Sequence, residues 1–288
     1  MTGTWRVFRS ESLRLRRSRA VLVGCLALLL VAALRVSLGA LAEETERRSA
    51  EQRAAAAGRE APEESGANAY GPLADGWGAG LKLGSLLLLV LASRSLAGDR
   101  EQGLLRLATT RSVSRGGLVW GRALVGVPAC LVVLGLTGLG AWLAARGLYT
   151  FGPLLEFGYP LMSQEELDAE VWRAATATLP PLLGVWALGL LVSSLVGSPT
   201  AAVSVAVAGF VGFDLFKDLL GEGQRWVFLS FAPSFADSSA MGELSGVARG
   251  LSDAGFSDGV HRMNLVLPGP EALLLVVVAA LLVRRKTL

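Results

Sequence analysis

The sequence predicts an all-α, polytopic membrane protein with six transmembrane helices, an N-terminal helix in the membrane interface and both termini in the cytoplasm. Composition is the first reason, because 52% of the residues are apolar, 18% are charged and the mean hydropathy is +0.50. Clustering is the second, because residues 123–145 and 174–213 contain no charged side chain. A run of about 18 such residues can cross the hydrocarbon core as a helix. These runs exclude a single water-soluble core.

Six segments have the length and apolar character of a spanning helix: residues 20–41, 77–96, 118–144, 174–196, 200–219 and 265–283. Basic residues precede the first segment, as they do in a secretory signal peptide. Its apolar stretch is longer than the roughly 7–15 residues of such a peptide, so we expect it to be retained. The second and sixth segments are the weakest, because charged side chains stand near their ends. Charges in that position are tolerated when they reach the interface.

The distribution of charge orients the six spans. Arginines dominate the segment before the first span, the segment between the second and third, and the C-terminal tail, whereas carboxylates are numerous after the first and third spans. Short cytoplasmic loops are enriched in Lys and Arg, so all three basic segments belong in the cytoplasm. Removing either weak span alone would violate this condition. The external segments are then 42–76, 145–173 and 220–264, and residues 97–117 form a cytoplasmic loop.

Three further predictions concern the external segments. Residues 43–70 either extend the first helix or form a solvated loop, and Gly58 and Pro62 favour a break. Ser163 and Glu166 have the spacing of a capping box, which would start a helix that leads into the fourth span. The apolar stretch 226–232 either lies in the interface or re-enters the membrane.

The N-terminal residues have the pattern of an amphipathic helix. Trp5, Phe8, Ser12 and Leu15 share one face, while Arg6, Arg9, Arg16 and Arg17 lie largely around the other. This pattern is typical of a helix that lies in the cytoplasmic interface with its guanidinium groups toward anionic lipid headgroups. The alternative is a simple basic flank that follows the topology rule.

The loop between the second and third spans carries the most informative motif. Within residues 98–115, Leu104, Leu105, Leu107 and Ala108 form one apolar side of a short helix. Asp99 and Glu101 precede it, in the favourable position for the helix dipole. A solvated loop has no need of an apolar ridge, so we expect this helix to dock on the membrane interface or on another protein.

At this loop the chain resembles the permease subunits of ABC type-2 transporters. That family typically has acidic residues, Gly-Thr-Leu, a short leucine-rich helix, Pro-x-x-Arg and then Gly-Lys at the start of the next span. The matching positions are Asp99, Glu101, Gly103, Leu105, Arg115 and Gly121, whereas Leu104, Ser112 and Arg122 replace the usual Thr, Pro and Lys. The interfacial helix, the six spans, the tight connection between the fourth and fifth, and the basic tail are similar as well. The size and the large segment before the last span also resemble the permeases associated with copper-site maturation of nitrous oxide reductase.

The resemblance implies that residues 97–117 contain a coupling helix that rests in a cleft of a separate ATP-binding subunit. The contact residues would be Asp99, Glu101, Gly103, Leu104, Leu105, Arg106 and Arg115. The chain contains no Gly-x4-Gly-Lys-Ser/Thr loop to hold phosphates, so ATP and Mg²⁺ are expected on the partner and no catalytic residue or cofactor is expected here. The other implied partners are membrane lipids, a second permease chain in a homodimer or heterodimer, and an extracytoplasmic protein. The implied activity is export of a substrate across the cytoplasmic membrane.

Charged residues inside the spans are the next candidates, because charge is costly in hydrocarbon. Arg35 lies toward the outer end of the first span, and Asp214, Lys217 and Asp218 lie near the outer end of the fifth. They form either an external gate or a self-paired cluster at the interface with Arg35 reaching outward. Cys25 and Cys130 fall in apolar helices and His261 has no ligand-spaced neighbours, so no metal site is expected.

Two other function classes are alternatives to the permease. A membrane-embedded enzyme would need acid, base, nucleophilic or metal-binding groups that converge at membrane depth, and the sequence assembles no such set. A non-transporting membrane scaffold would use the external segments for binding. The net charge of +3 is too small to indicate a nucleic-acid partner.

Overall fold

The computed structural model describes residues 2–57, 68–103, 114–156, 159–235, 239–251 and 258–285. The helices are α1 (Thr2–Arg17), α2 (Arg19–Ala56), α3 (Tyr70–Glu101), α4 (Arg115–Leu148), α5 (Gln164–Leu195), α6 (Pro199–Phe216), α7 (Ala240–Ala248), α8 (Asp258–Val266) and α9 (Pro268–Arg285). Two 3₁₀ segments, Lys217–Trp226 and Phe228–Ser230, follow α6. The strands β1 (Leu154–Glu156) and β2 (Tyr159–Met162) form an antiparallel hairpin between α4 and α5.

Six helical segments of the described chain are long and apolar enough to cross a membrane. They are α2, α3, α4, α5, α6 with the 3₁₀ segment after it, and the run from His261 in α8 to the end of α9. The prediction of an all-α polytopic membrane protein is confirmed at this level. The hairpin of β1 and β2 is an addition that the sequence pattern did not indicate.

The helix boundaries differ from the predicted spans, most clearly in the first and the last span. Helix α2 does not end near residue 41 but continues to Ala56, so the first of the two predictions for residues 43–70 holds up to that point. Two ion pairs at helical spacing favour this extension: Arg47 with Glu51 at 3.0 Å and Arg48 with Glu44 at 2.9 Å. The last span is broken between α8 and α9, where Pro268 begins the new helix.

Helices α3 and α5 form the centre of the bundle. Helix α3 packs against α2, α4, α5, α6 and α7, and α5 packs against α3, α4, α6, α7 and α9. Two apolar clusters span these contacts, one around Leu88, Trp186 and Leu190 and the other around Leu89, Val185 and Phe210. The predicted capping box that starts α5 is confirmed, because Ser163 Oγ accepts from Glu166 N and Glu166 Oε2 accepts from Ser163 N. The capping box therefore stabilises the first turn of α5.

The N-terminal helix and the end of the last helix lie at one end of the bundle, which we call the basic end. It is defined by α1, the start of α4 and the end of α9. Gly121 in α4 lies so close to α1 that an added Cβ would be 2.7 Å from Val7, and a Cβ on Gly116 would be 2.9 Å from Arg284. The basic N-terminal helix and the basic C-terminal residues are therefore neighbours in space.

The segment after α6 turns back into the bundle. Gly221 allows the turn with a φ of +50°, a backbone conformation that favours glycine. The ring of Phe228 then lies against Gly184 of α5, and Ser85, in the middle of α3, donates to the carbonyl of Pro233 at 2.9 Å. Residues 228–234 are therefore largely buried in the bundle, at the level of the middle of α3.

Close packing between α2 and α4 generates a matched prediction. A Cβ on Gly140 would be 2.4 Å from the carbonyl oxygen of Leu29, whereas a Cβ on Gly135, in the same helix, meets nothing within 4 Å. We expect Gly140→Ala to force the two backbones apart and lower stability by about 1–3 kcal/mol. Gly135→Ala should be neutral or stabilising by up to about 1 kcal/mol, because alanine favours the helix. Thermal unfolding in detergent measures both, and equal midpoints for the two variants would contradict the close approach.

Candidate functional site

The loop 97–117 is the predicted contact with an ATPase, and its two ends are the parts that the structure describes. Asp99 and Glu101 lie in the last turn of α3, Gly103 follows them, and Arg115 is the first residue of α4. Leu104, Leu105 and Arg106, the remaining predicted contact residues, lie outside the described residues. We call the two described ends of the loop, together with the residues that they contact, the loop base.

Arg122 in α4 is the centre of the loop base. Its side chain is 3% exposed, its Nε donates to Glu11 Oε1 at 3.1 Å, and its Nη2 donates to Glu11 and to Asp99. Because Glu11 is in α1 and Asp99 is in the last turn of α3, a single guanidinium joins three helices. A buried charge is tolerated only when it is paired and hydrogen-bonded. The ends of these helices must therefore stay together.

Arg14 adds a second cation to the same carboxylate. Its Nη1 donates to Asp99 Oδ1 at 3.0 Å, and it also lies 3.9 Å from Glu11. Partial burial disfavours the charged form of Arg14, but the hydrogen bond to Asp99 and the charges of Asp99 and Glu11 raise the pKa of its guanidinium above the usual value. Arg14 therefore stays charged, and α1 contacts the end of α3 through it.

The last turns of α3 are also attached to the turn between α5 and α6. Arg100 Nη1 donates to the carbonyl of Val196 at 3.0 Å, just past the end of α5. Carbonyls at a helix C-terminus lack intrahelical partners and carry partial negative charge, so a guanidinium is a favourable partner. Ser193 Oγ accepts from the backbone N–H groups of Leu96 and Ala97 at 2.9 and 3.0 Å. The loop base thus extends to a fourth helix.

Two residues at the start of the loop differ from Asp99 in their surroundings. The side chain of Glu101 is exposed and forms no ion pair with any described residue. Gly103 has a φ of +68°, which ends the helix in a conformation that a side chain disfavours. Of the two predicted acidic contact residues, Asp99 is thus committed to the interior of the protein, and Glu101 points its charge outward.

The chain matches no protein-family model, and no curated protein is significantly similar to it in sequence.

The four residues of the candidate external gate fall into two clusters. Arg35 Nη2 lies 3.4 Å from Asp75 Oδ2 of α3, and the same carboxylate is bound by Ser245 and Arg249 at 2.6 and 2.5 Å. This cluster joins α2, α3 and the end of α7, beside a cavity of about 160 Å³. Arg35 is thus paired within the protein.

The second cluster holds the segment after α6. Asp214 and Lys217 are 3% exposed in their side chains and 3.0 Å apart. Asp214 Oδ2 accepts from the backbone N–H of Phe235 at 2.8 Å, so the pair attaches the returning segment to α6. Asp218 is exposed. The structure brings Asp214 and Lys217 together, as the self-paired alternative requires, and gives Asp218 a different environment.

A groove lies beside α3, α4 and α5 at the end opposite to the basic end. Its volume is about 1050 Å³, and its lining includes Trp77, Trp142 and Trp172 together with Arg146 and Asp168. Arg146 stacks over Trp142 at 5.1 Å, and Asp168 accepts from the hydroxyl of Tyr70 at 2.6 Å. The groove offers aromatic surface with charged groups beside it, an arrangement suited to an amphipathic molecule.

The loop base contains residues that the sequence did not single out. In the sequence, Arg122 stands where the family usually has a lysine. It also lies inside the predicted span 118–144, and a charge in that position needs a partner. Glu11 is an isolated carboxylate among the N-terminal arginines, which was the available signal for that partner. No feature of the sequence distinguishes Ser193 or Arg100 from other residues of the same type. In the described ranges, no group of three or more His, Cys, Asp or Glu residues could hold a metal ion.

Removal of the central guanidinium tests the loop base. Arg122→Met leaves Asp99 and Glu11 partly buried without this cation, so we expect the free energy of unfolding to fall by about 3–5 kcal/mol. Arg94→Gln is the matched control, because Arg94 is an exposed arginine of α3, and it should change stability by less than about 0.5 kcal/mol. Thermal unfolding in detergent separates the two. An Arg122→Met protein as stable as the control would show that the network does not hold the helices.

Removal of Lys217 tests the attachment of the returning segment. Lys217→Met leaves Asp214 buried without this cation, which costs on the order of 3 kcal/mol or more, and we expect residues 217–235 to detach first. Trypsin cleavage after the exposed Arg225 reports the detachment, and its rate should rise in Lys217→Met. Asp218→Asn, a change at the exposed neighbour, should leave the rate unchanged. Equal rates in the two variants would argue against the attachment.

Proposed function

We propose that the chain is the permease subunit of an ATP-binding cassette transporter in the cytoplasmic membrane and that it exports an apolar or amphipathic substrate. One observation carries the proposal. The loop between the second and third membrane-spanning segments starts and ends on a base that is fixed to α1, α4 and α5, while Glu101 beside it is exposed. A loop attached in this way can transmit a movement from a docked protein to the helices of the bundle.

The loop base explains how that transmission would work. A docked ATPase subunit that closes around nucleotide would push on residues 104–113. Because Asp99 is fixed to Arg122 and Arg100 to the carbonyl of Val196, the push cannot be absorbed by the ends of the loop. It moves α1, α3, α4 and the turn before α6 as one body. In this proposal ATP and Mg²⁺ are bound by the partner, and this chain performs no chemistry.

The orientation and the substrate class have separate support. The arginine-rich segments meet at the basic end, which this proposal places in the cytoplasm with α1 in the membrane interface. The aromatic groove then opens toward the outer leaflet. Its tryptophans and adjacent charges favour a substrate with an apolar body and a polar group. The exporter works with a second permease chain, and its external segments are available to an extracytoplasmic protein.

Charge reversal in the loop tests the proposed contact. Glu101→Arg and Leu105→Asp are expected to abolish the ATPase activity that the permease stimulates in its partner, because the first reverses an exposed charge and the second places a carboxylate in the apolar ridge that the sequence predicts. Glu46→Arg is the matched control, since Glu46 is an exposed carboxylate in the extension of α2. It should leave stimulation and membrane insertion unchanged. Normal stimulation in both loop variants would exclude the docking role.

Purification from the native host tests the existence of the partner. The intact chain in mild detergent should retain a nucleotide-binding protein, and the Glu101→Arg chain should lose it while the Glu46→Arg chain keeps it. Recovery of no nucleotide-binding protein with the intact chain would count against the transporter. Equal recovery with all three chains would place the contact elsewhere.

A further inference from the structure

A second groove lies at the basic end, between α1 and the helices α2, α3 and α4. Its volume is about 890 Å³. The walls from α2, α3 and α4 are almost entirely apolar, and Leu22, Leu87, Leu91 and Val132 are examples. Leu22 is 58% exposed, so the groove is open at the side of the bundle. A groove of this kind suits the acyl chains of the surrounding bilayer.

The charged and hydroxyl groups of the groove all come from one face of α1. Among its lining residues these are Arg9, Ser12 and Arg16, which follow one another at helical spacing. The polar groups therefore lie on one wall of the groove, beside the apolar side chains of Trp5, Phe8, Leu13 and Leu15 in the same helix, and the facing walls are apolar. This is the arrangement that a molecule with a polar head and an apolar tail requires.

Some charged residues of α1 have partners in other helices, whereas others have none among the described residues. Arg14 pairs with Asp99, and Glu11 pairs with Arg122. Arg9 and Arg16 are exposed and form no ion pair with any residue in the described part of the chain. The Ser12 hydroxyl is buried and has no hydrogen-bond partner among those residues either. The groove thus contains two positive charges and a hydroxyl donor for which the described residues supply neither a counter-charge nor an acceptor.

We propose that this groove binds an anionic phospholipid of the surrounding bilayer. Its phosphate lies between Arg9 and Arg16, within reach of the Ser12 hydroxyl, and its acyl chains lie against α2, α3 and α4. Guanidinium groups are favoured partners of phosphate, and basic residues beside a membrane attract anionic lipids. The bound lipid fills the space between α1 and the bundle. The proposal depends on the chain being embedded in a membrane and does not depend on the transporter function.

Quenching of Trp5 by brominated lipid tests the proposal. Trp5 lines the groove, and its signal is isolated by subtracting the fluorescence of the matching protein that carries Trp5→Phe. Phosphatidylglycerol with brominated acyl chains is titrated into the full-length chain in mixed micelles of detergent and phosphatidylcholine. We expect saturable quenching at a low mole fraction of phosphatidylglycerol. Brominated phosphatidylcholine should quench only in proportion to its amount.

Two double variants separate this site from general attraction to a basic helix. Arg9→Gln with Arg16→Gln removes the two groove charges, and Arg6→Gln with Arg17→Gln removes two exposed charges of α1 that do not line the groove. We expect the first pair to weaken the apparent affinity about 25-fold, since each arginine contributes roughly fivefold, and the second pair to weaken it far less. An equal loss in both pairs, or equal quenching by the two lipids in the unmodified chain, would overturn the proposal.

Discussion

The burial of one guanidinium, that of Arg122, is the constraint on which the basic end of this protein depends. A buried charge is tolerated only when it is paired and hydrogen-bonded, so Arg122 needs its carboxylate partners beside α4. Glu11 brings α1 onto α4, and Asp99 fixes the last turn of α3 beside both. Arg100, in the same turn as Asp99, then attaches this assembly to the end of α5. A short N-terminal helix that would be marginal alone thereby becomes part of the bundle.

The spans could be predicted because two independent patterns identify them. Hydropathy depends on how apolar a segment is, whereas the distribution of charge depends on the side of the membrane on which a loop lies. Helix α2 is the most apolar of the six and the least buried, whereas α3 has the lowest mean hydropathy and lies at the centre. Its buried Ser85 and Ser93 contact protein, where small polar groups are accommodated. A central helix is therefore the one that a hydropathy criterion detects least well. The alternation of basic and acidic segments indicates the span in α3. This alternation depends on the side of the membrane on which each loop lies and not on the neighbours of the helix.

The partners of the charged residues could not be predicted in the same way. Arg35 and Asp214 were grouped because both lie near the outer ends of spans, but Arg35 contacts Asp75 while Asp214 contacts Lys217 and Phe235. Pairing depends on the lateral order of the helices, which one sequence does not encode in any local pattern. The return of residues 228–234 into the bundle could not be predicted for the same reason. Its attachment points, Gly184 and Ser85, are on helices far away in the chain.

Helix α3 connects the polar clusters at three depths. Asp99 belongs to the loop base, Ser85 binds the returning segment at mid-depth, and Asp75 anchors Arg35 and Arg249 at the opposite end. With 32 residues the helix is about 48 Å long, and its backbone hydrogen bonds make it stiff along that length. A displacement of the loop base therefore cannot remain local, because the same rod also carries the attachments at the other two depths. In the proposed permease, this continuity makes α3 the element that conveys a movement at the cytoplasmic loop to the returning segment and to the external end.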